Sequence, residues 1–253
     1  MLSGEFGSSL TGRHLSVELY PFSLTEIRKL APRTSLLDFL QHGGFPEAVK
    51  SKNSDALLRQ YFADIVERDI RERVAARSSQ PLRQLVQMVF ESAGSELSVR
   101  RIAAAIGIAV ETAQGYLQAC ESAYLLFECP FFAYSLRKSS TRNKKYYPVD
   151  TGLRRVAVSK TGDDHGKLLE CATYLALRQR YPRVCYWRGR GEIDFVVENA
   201  TGETVPIQVT WNNPEARHKT ALDEFHAEFP RAREAVMVTR HTFAELEKQG
   251  WPC

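Results

Sequence analysis

The spacing of apolar residues changes character twice along the chain, and up to about residue 92 it is helical. A short hydrophobic stretch from Leu15 to Leu19 and a turn at Pro21 lead into a helix predicted over Ser23 to Leu30. A second is predicted over Thr34 to Gln41, stopping at Gly43-Gly44. Ser54 is expected to cap a longer helix. Its Leu57, Leu58, Tyr61, Phe62, Ile65 and Val66 hold one face, with Arg59, Asp64, Glu67 and Arg68 largely opposite. Another helix follows Pro81 and carries Leu82, Leu85, Val86, Val89 and Phe90 on its stripe. These stripes describe a helical bundle.

From Leu97 to about Asp150 the pattern tightens. Val99, Ile102, Ala103 and Ile106 mark one face of a helix opened by Ser98 and ended by Gly107, and Ala113, Leu117, Cys120 and Tyr124 mark the next. That is helix-turn-helix spacing. The stretch LLFECPFFAYSLRKSSTRNKKYYPVD then alternates apolar and aromatic runs about a polar loop, as a two-stranded wing does. A winged helix is therefore expected. The last hundred residues predict a helix over Gly166 to Arg180 and strands at Val184 to Trp187, Ile193 to Val197 and Pro206 to Thr210. A helix bearing Leu222, Phe225 and Phe229, a strand at Ala235 to Val238 and a final helix from Thr242 complete the order. The expected fold is α+β in several parts: residues 1–92 helical, 93–155 winged helix, and 156–253 a C-terminal α/β domain.

Composition narrows the chemistry. With 253 residues, 43% hydrophobic and 25% charged, the chain has the make-up of a soluble globular protein. No apolar run approaches the roughly 18–20 residues that cross a bilayer, and the start MLSGEFGSSLTGRH has no signal-peptide pattern. A cytoplasmic location and no membrane partner are expected. Five cysteines, at 120, 129, 171, 185 and 253, never form C-x-x-C, so neither a disulfide framework nor a structural zinc site is encoded. There is no G-x-x-x-x-G-K-[ST], hence no loop to cradle nucleotide phosphates.

The C-terminal order α-β-β-β-α-β resembles the metal-dependent nuclease core known as PD-(D/E)XK. Such a site needs a carboxylate on the first helix, an Asp on the second strand and an acidic-x-Lys pair on the third. Clustered oxygens then hold Mg²⁺ at the scissile phosphate while the lysine orients the attacking water. Glu170 in GKLLECATYLAL, Asp194 in GEIDFVVE, and Gln208 and Thr210 in IQVT occupy these places. An amide oxygen can ligate Mg²⁺, so Asp194 and Gln208 are the candidate ligands; Thr210 cannot supply a cation. Lys167, one turn from Glu170, is a candidate substitute, and Lys219 a more distant one. The expectation is a degenerate site. Trp187 and Trp211 are expected to pack rather than stack on bases.

More broadly, the opening LSGEFGSSLTGRHLSVELYPFSLTEI, the segments HGGFPEAV and YFADIVERDI, the helix-turn-helix, and the tail GKLLE…GEIDFVVE…IQVTW resemble prokaryotic AAA-type ATPases. Those carry a C-terminal domain of unknown function related to PD-(D/E)XK nucleases. The resemblance implies that residues 1–92 are the tail and helical lid of an ATPase domain, and that Arg13 would lie near nucleotide. ATP would be handled only in a longer parent carrying the P-loop. The glutamine in the third motif looks like the family's habit.

The formal charge of +4 is uneven. Residues 131–160 hold eight basic residues, Arg137, Lys138, Arg142, Lys144, Lys145, Arg154, Arg155 and Lys160, against Asp150 alone, a net of +7. Arg137, Lys138, Arg142, Lys144 and Lys145, with Arg188 and Arg190 in WRGRG, are the candidate phosphate contacts. The second helix, VETAQGYLQACES, offers Thr112, Gln114 and Gln118 but no basic residue, so direct base reading is not expected. The leading expectation is a sequence-nonspecific DNA-binding or regulatory module. The alternatives are a protein-interaction or self-assembly platform using Phe127, Phe131, Phe132, Tyr134, Tyr146 and Tyr147, and a Mg²⁺-dependent endonuclease.

Overall fold

A computed structural model describes residues 17–74, 78–158 and 164–251. Arg13, Lys160, Cys253 and the beginning of the Leu15 to Leu19 stretch lie outside the described residues. Mixed α+β architecture is observed, with twelve α-helices and two small sheets among the described residues. None of these helices is long and apolar enough to cross a membrane.

The N-terminal helices start where polar caps allow them to. Ser23 and Glu26 form a capping box on α1 (Leu24–Leu30), and Ser35 and Asp38 form one on α2 (Leu36–His42). Gly43 ends α2 at φ 74°, a left-handed backbone that favours glycine. The short α3 (Pro46–Lys50) was not expected. In α4 (Ser54–Asp64) the cap is Asn53 rather than Ser54, its side chain accepting from the Ala56 N–H. That helix widens into a π-helical turn, Ile65–Ile70, which sends Ile65, Val66 and Ile70 into the core. Pro81 opens α5 (Gln80–Glu91), whose whole predicted stripe is buried.

Next come α6 (Val99–Ile106), a turn with Gly107 at φ 79°, and α7 (Val110–Ser122). Strands β1 (Leu126–Cys129) and β2 (Lys145–Pro148) pair antiparallel, with α8 (Leu136–Ser140) between them, and Leu97 bridges to Lys144 on the far side. The expected aromatic platform on this ribbon is not presented to solvent. Phe127, Phe131, Phe132, Tyr146 and Tyr147 are all buried, because the ribbon is covered on both faces; only Tyr134 is exposed.

One element that the periodicity did not announce ties the helices together. Asp150 caps α9 (Thr151–Ala157) by accepting from Leu153 N at 2.7 Å, and it also accepts from Gly44 N at 2.6 Å. The approach is close enough that a Cβ at Gly43 would lie 2.1 Å from Asp150 Oδ1, and one at Gly152 would lie 2.3 Å from the His42 carbonyl. The HGG and DTG tripeptides are therefore two halves of one joint.

The C-terminal part runs α10 (His165–Arg178), β3 (Val184–Arg188), β4 (Glu192–Glu198), β5 (Thr204–Val209), α11 (Ala216–Glu228), β6 (Val236–Val238) and α12 (Phe243–Gln249). The sheet order is β3-β4-β5-β6, antiparallel except for β5 and β6, which α11 joins as a crossover. The ribbon continues into this sheet: Tyr186 N donates to the Pro130 carbonyl at 3.0 Å, and Phe132 N donates to the Tyr186 carbonyl at 2.6 Å. Residues 130–132 thus cover the outer edge of β3. Trp187 is buried edge-on against Phe225, as packing required, and Trp211 lies 4.9 Å from the His165 ring. Cys120, Cys129, Cys171 and Cys185 are buried thiols.

Candidate functional site

Three of the expected residues do converge. Glu170 comes from α10, Asp194 from the third position of β4, and Gln208 from β5, where the pairing of Phe195 with Ile207 sets Gln208 beside Asp194. Gln208 Nε2 and Val209 N each donate to Asp194 Oδ2 at 2.7 Å. Gln208 Oε1 is buried without a hydrogen-bond partner among the described residues. Thr210 falls one residue beyond the end of β5, its N–H donating to the Val238 carbonyl. No hydrogen bond of its hydroxyl to this cluster is found among the described residues. Lys167 donates to the Glu91 carbonyl at 3.3 Å, and Lys219 is exposed on α11.

The cation of the cluster comes instead from the ribbon. Lys145 Nζ lies 2.5 Å from Glu192 Oε1 and 3.9 Å from Glu170 Oε1, with its side chain fully buried. Tyr147, two residues on and so on the same face of β2, donates to Glu170 Oε1 at 2.7 Å. Below them Tyr147 stacks on Tyr174 with centroids 4.3 Å apart and meets Phe195 at 5.4 Å. On the other side, Gly94, at φ 80°, backs onto Glu170 so closely that a Cβ there would lie 2.6 Å from Oε2. Arg188 Nη1 closes the outer rim, 3.3 Å from Glu192 and 3.5 Å from Glu96.

Burial and crowding set the protonation of the cluster. Asp194 is pushed up to about 8, by burial first and by the Glu170 charge second, against the pull of Lys145 and the Val209 N–H. Glu170 is also raised, by burial, despite Lys145 and the Tyr147 hydroxyl. Burial alone would lower Lys145; Glu170, Glu192 and Asp194 outweigh it and keep the side chain an ammonium. Mg²⁺ does not fit this arrangement. Lys145 already supplies the positive charge, and Asp194 Oδ2 is taken by two N–H donors. Among the described residues no group of three His, Cys, Asp or Glu is disposed to hold a metal ion.

The expected phosphate contacts are scattered and mostly engaged. Lys145 is a correction: it is not a surface residue, because β2 is buried on both faces and its side chain points to the acids. Lys138 pairs with Glu228 at 2.8 Å, and Lys144 pairs with Glu128. Arg142 lies over the Phe131 ring at 4.7 Å and donates to the Arg188 carbonyl. Arg137 is exposed on α8, and the 94%-exposed Arg190 side chain reaches Glu224 at 3.7 Å. On α7, Glu121 is pushed up to about 7 by burial and by Glu128, against Lys144. A cavity of about 290 Å³ bordered by Tyr20, Asp150, Glu247 and Trp251 lies apart, and no member of the acid cluster lines it.

Tyr147, Glu192 and Gly94 were missed as site residues, and Lys145 was expected at a phosphate rather than among the acids. A signal existed for Lys145: it opens β2 directly after Lys144, which bridges to Leu97, and consecutive residues of extended backbone point to opposite faces, so only one of the two can meet solvent if the other face is covered.

Residues 33–164 match a family model described as a domain of unknown function, DUF8612. The chain belongs to the DUF8612 family. Residues 165–252 match a second model, the domain of unknown function DUF4143. The cluster therefore straddles the border, taking Lys145, Tyr147 and Gly94 from the DUF8612 segment and Glu170, Glu192, Asp194 and Gln208 from the DUF4143 segment. An uncharacterized protein of Haemophilus influenzae is 28% identical over 87% of this chain and 59% of its own length. Another uncharacterized protein, from Methanocaldococcus jannaschii, is 26% identical over 82% of this chain and 52% of its own length. The chain thus spans little more than half the length of these relatives. No solved structure matches it.

Proposed function

We propose that this chain is a non-hydrolytic regulatory module of a larger AAA-type ATPase, in which a winged helix is fastened to a PD-(D/E)XK nuclease-like sheet. The architecture is supported by the order α6, turn, α7, β1 and β2, followed by α10-β3-β4-β5-α11-β6. The greater length of the relatives is in keeping with a further domain. One observation carries the non-hydrolytic reading: the buried Lys145 ammonium is paired with Glu170 and Glu192, so these acids are neutralised from within the chain where hydrolysis would need a divalent ion. The third strand contributes no acid, and Gly94 leaves no room over Glu170.

Nucleic-acid binding through the ribbon is not favoured. Counterion release requires basic groups free to neutralise phosphates, whereas Lys138, Lys144 and Lys145 are paired with acids of the same chain. The test is incubation with supercoiled plasmid in Mg²⁺ or Mn²⁺. No nicking above that of Asp194→Ala is expected, and nicking lost in that variant would overturn the reading. In a parallel electrophoretic assay at about 50 mM salt no DNA shift is expected; a shift that collapses by about 200 mM would restore the nucleic-acid reading.

A further inference from the structure

We infer that the groove between α7 and the ribbon of β1 and β2 is a docking site for an arginine side chain presented by a partner protein, with Glu121 as the acid that receives the guanidinium. This groove lies on the opposite face of the ribbon from the acid cluster, so neither reading depends on the other.

The strand alternation that turns Lys145 and Tyr147 toward the cluster turns Lys144 and Tyr146 the other way, toward α7. Glu128, opposite Tyr146 in the pairing, joins them. From the helix, Gln114, Gln118 and Glu121 follow at spacings of four and three and so share a face. The two rows border a groove of about 390 Å³ that Leu97, Val99 and Leu117 also line.

Most of the charge along this groove is already matched. Lys144 pairs with Glu128, and Arg142 is engaged by the Phe131 ring and the Arg188 carbonyl. Glu121 is the exception: it is half-buried, and its carboxyl makes no ion pair and no hydrogen bond among the described residues. Tyr146 is a second, independent mark. It is 7% exposed, yet its hydroxyl makes no hydrogen bond among the described residues. Polar groups so deeply placed are ordinarily paired. Burial, then Glu121 and Glu128, raise its pKa, which puts the hydroxyl beside both acids.

An arginine side chain meets each of these demands. Its guanidinium supplies the unmatched positive charge, and its fork of N–H donors suits the Glu121 carboxylate, the Tyr146 hydroxyl and the amide oxygens of Gln114 and Gln118. Its aliphatic stem covers Leu97, Val99 and Leu117. A lysine has the charge without the fork, and a phosphate backbone would meet an unpaired carboxylate. Gln114 and Gln118 are exposed, so the groove opens along the outer face of α7, where a chain bearing the arginine has room to lie.

The experiment titrates the full chain with blocked amino acids, followed by NMR chemical shifts, at about pH 8, where Glu121, raised to about 7, is ionised. Acetyl-arginine methylamide should bind at one site, at least about tenfold tighter than its citrulline counterpart, which has the same shape and no charge. It should also bind tighter than its lysine counterpart. Glu121→Gln, isosteric and uncharged, should reduce the preference for arginine over citrulline to less than about twofold, and Tyr146→Phe should weaken arginine binding about threefold. Either variant decides the matter if the other does not fold. The inference is overturned if the blocked arginine does not bind, if it binds no tighter than citrulline or lysine, or if its preference survives Glu121→Gln or its affinity survives Tyr146→Phe. Tighter binding of free arginine than of the blocked residue would overturn it too, by making the occupant a small molecule rather than a partner protein.

Discussion

Lys145 Nζ sits 2.5 Å from Glu192 Oε1, a contact between residues 47 positions apart that joins the ribbon to the C-terminal sheet. Removing one member of a buried pair leaves the other charge without compensation. Lys145→Met is therefore expected to cost about 3 kcal/mol in metal-free buffer, and Glu192→Gln about 1 kcal/mol, because Glu170 still holds the ammonium. Urea unfolding of both single variants and of the double variant measures the coupling, and strict additivity would show that the contact contributes nothing.

Gly94 combines a left-handed backbone with a carboxylate at its α-carbon. Gly94→Ala should cost about 2–3 kcal/mol, part from the positive φ and part from the Glu170 oxygens. In a Glu170→Ala background only the backbone part remains, so the same substitution should cost about 1 kcal/mol there. Equal costs in the two backgrounds would rule out the steric contact.

The raised Asp194 carboxyl predicts a pH dependence of defined sign. Its folded value of about 8 exceeds the ordinary 3.8, so the fold favours the protonated acid. This contribution is complete below about pH 4 and is lost as pH rises through about 8. Asp194→Asn lacks that loss. Its midpoint relative to wild type should climb between about pH 5 and pH 9, at about 2–4 °C for each kcal/mol. A constant difference across this range would show that Asp194 titrates normally.

Residues 130–132 cover the β3 edge, and Lys145 and Tyr147 come from outside the DUF4143 segment. Residues 165–253 expressed alone should therefore expose a strand edge and two uncompensated acids. Aggregation or a non-cooperative melt by circular dichroism is expected, whereas a sharp cooperative transition would mean that this segment folds independently.

Much of the architecture was legible because periodicity reports which face of an element is apolar. The stripe on α5, the Ser98 and Gly107 boundaries of α6, and the order of the C-terminal strands are local properties; the alignment of Glu170, Asp194 and Gln208 came from the resemblance to a nuclease core. What periodicity omits is the identity of the element that covers each face. The ribbon aromatics read as available for a partner, yet the chain's own elements bury most of them. The joint between Asp150 and Gly44, 106 positions apart, had no local sign beyond paired glycines.

By itself the sequence determined most of the helices and strands, since caps, glycines and alternation act within a few residues, while Glu170, Asp194 and Gln208 were picked out by resemblance to a nuclease core. The placement of Lys145 was decided only by the tertiary structure. Its charge counts as surface potential when the strand is imagined in water, and as an internal counter-ion once β2 is buried against α10 and β4. Sequence spacing carries no information on that difference, because electrostatic energy depends on the distance and burial of groups that the fold alone brings together.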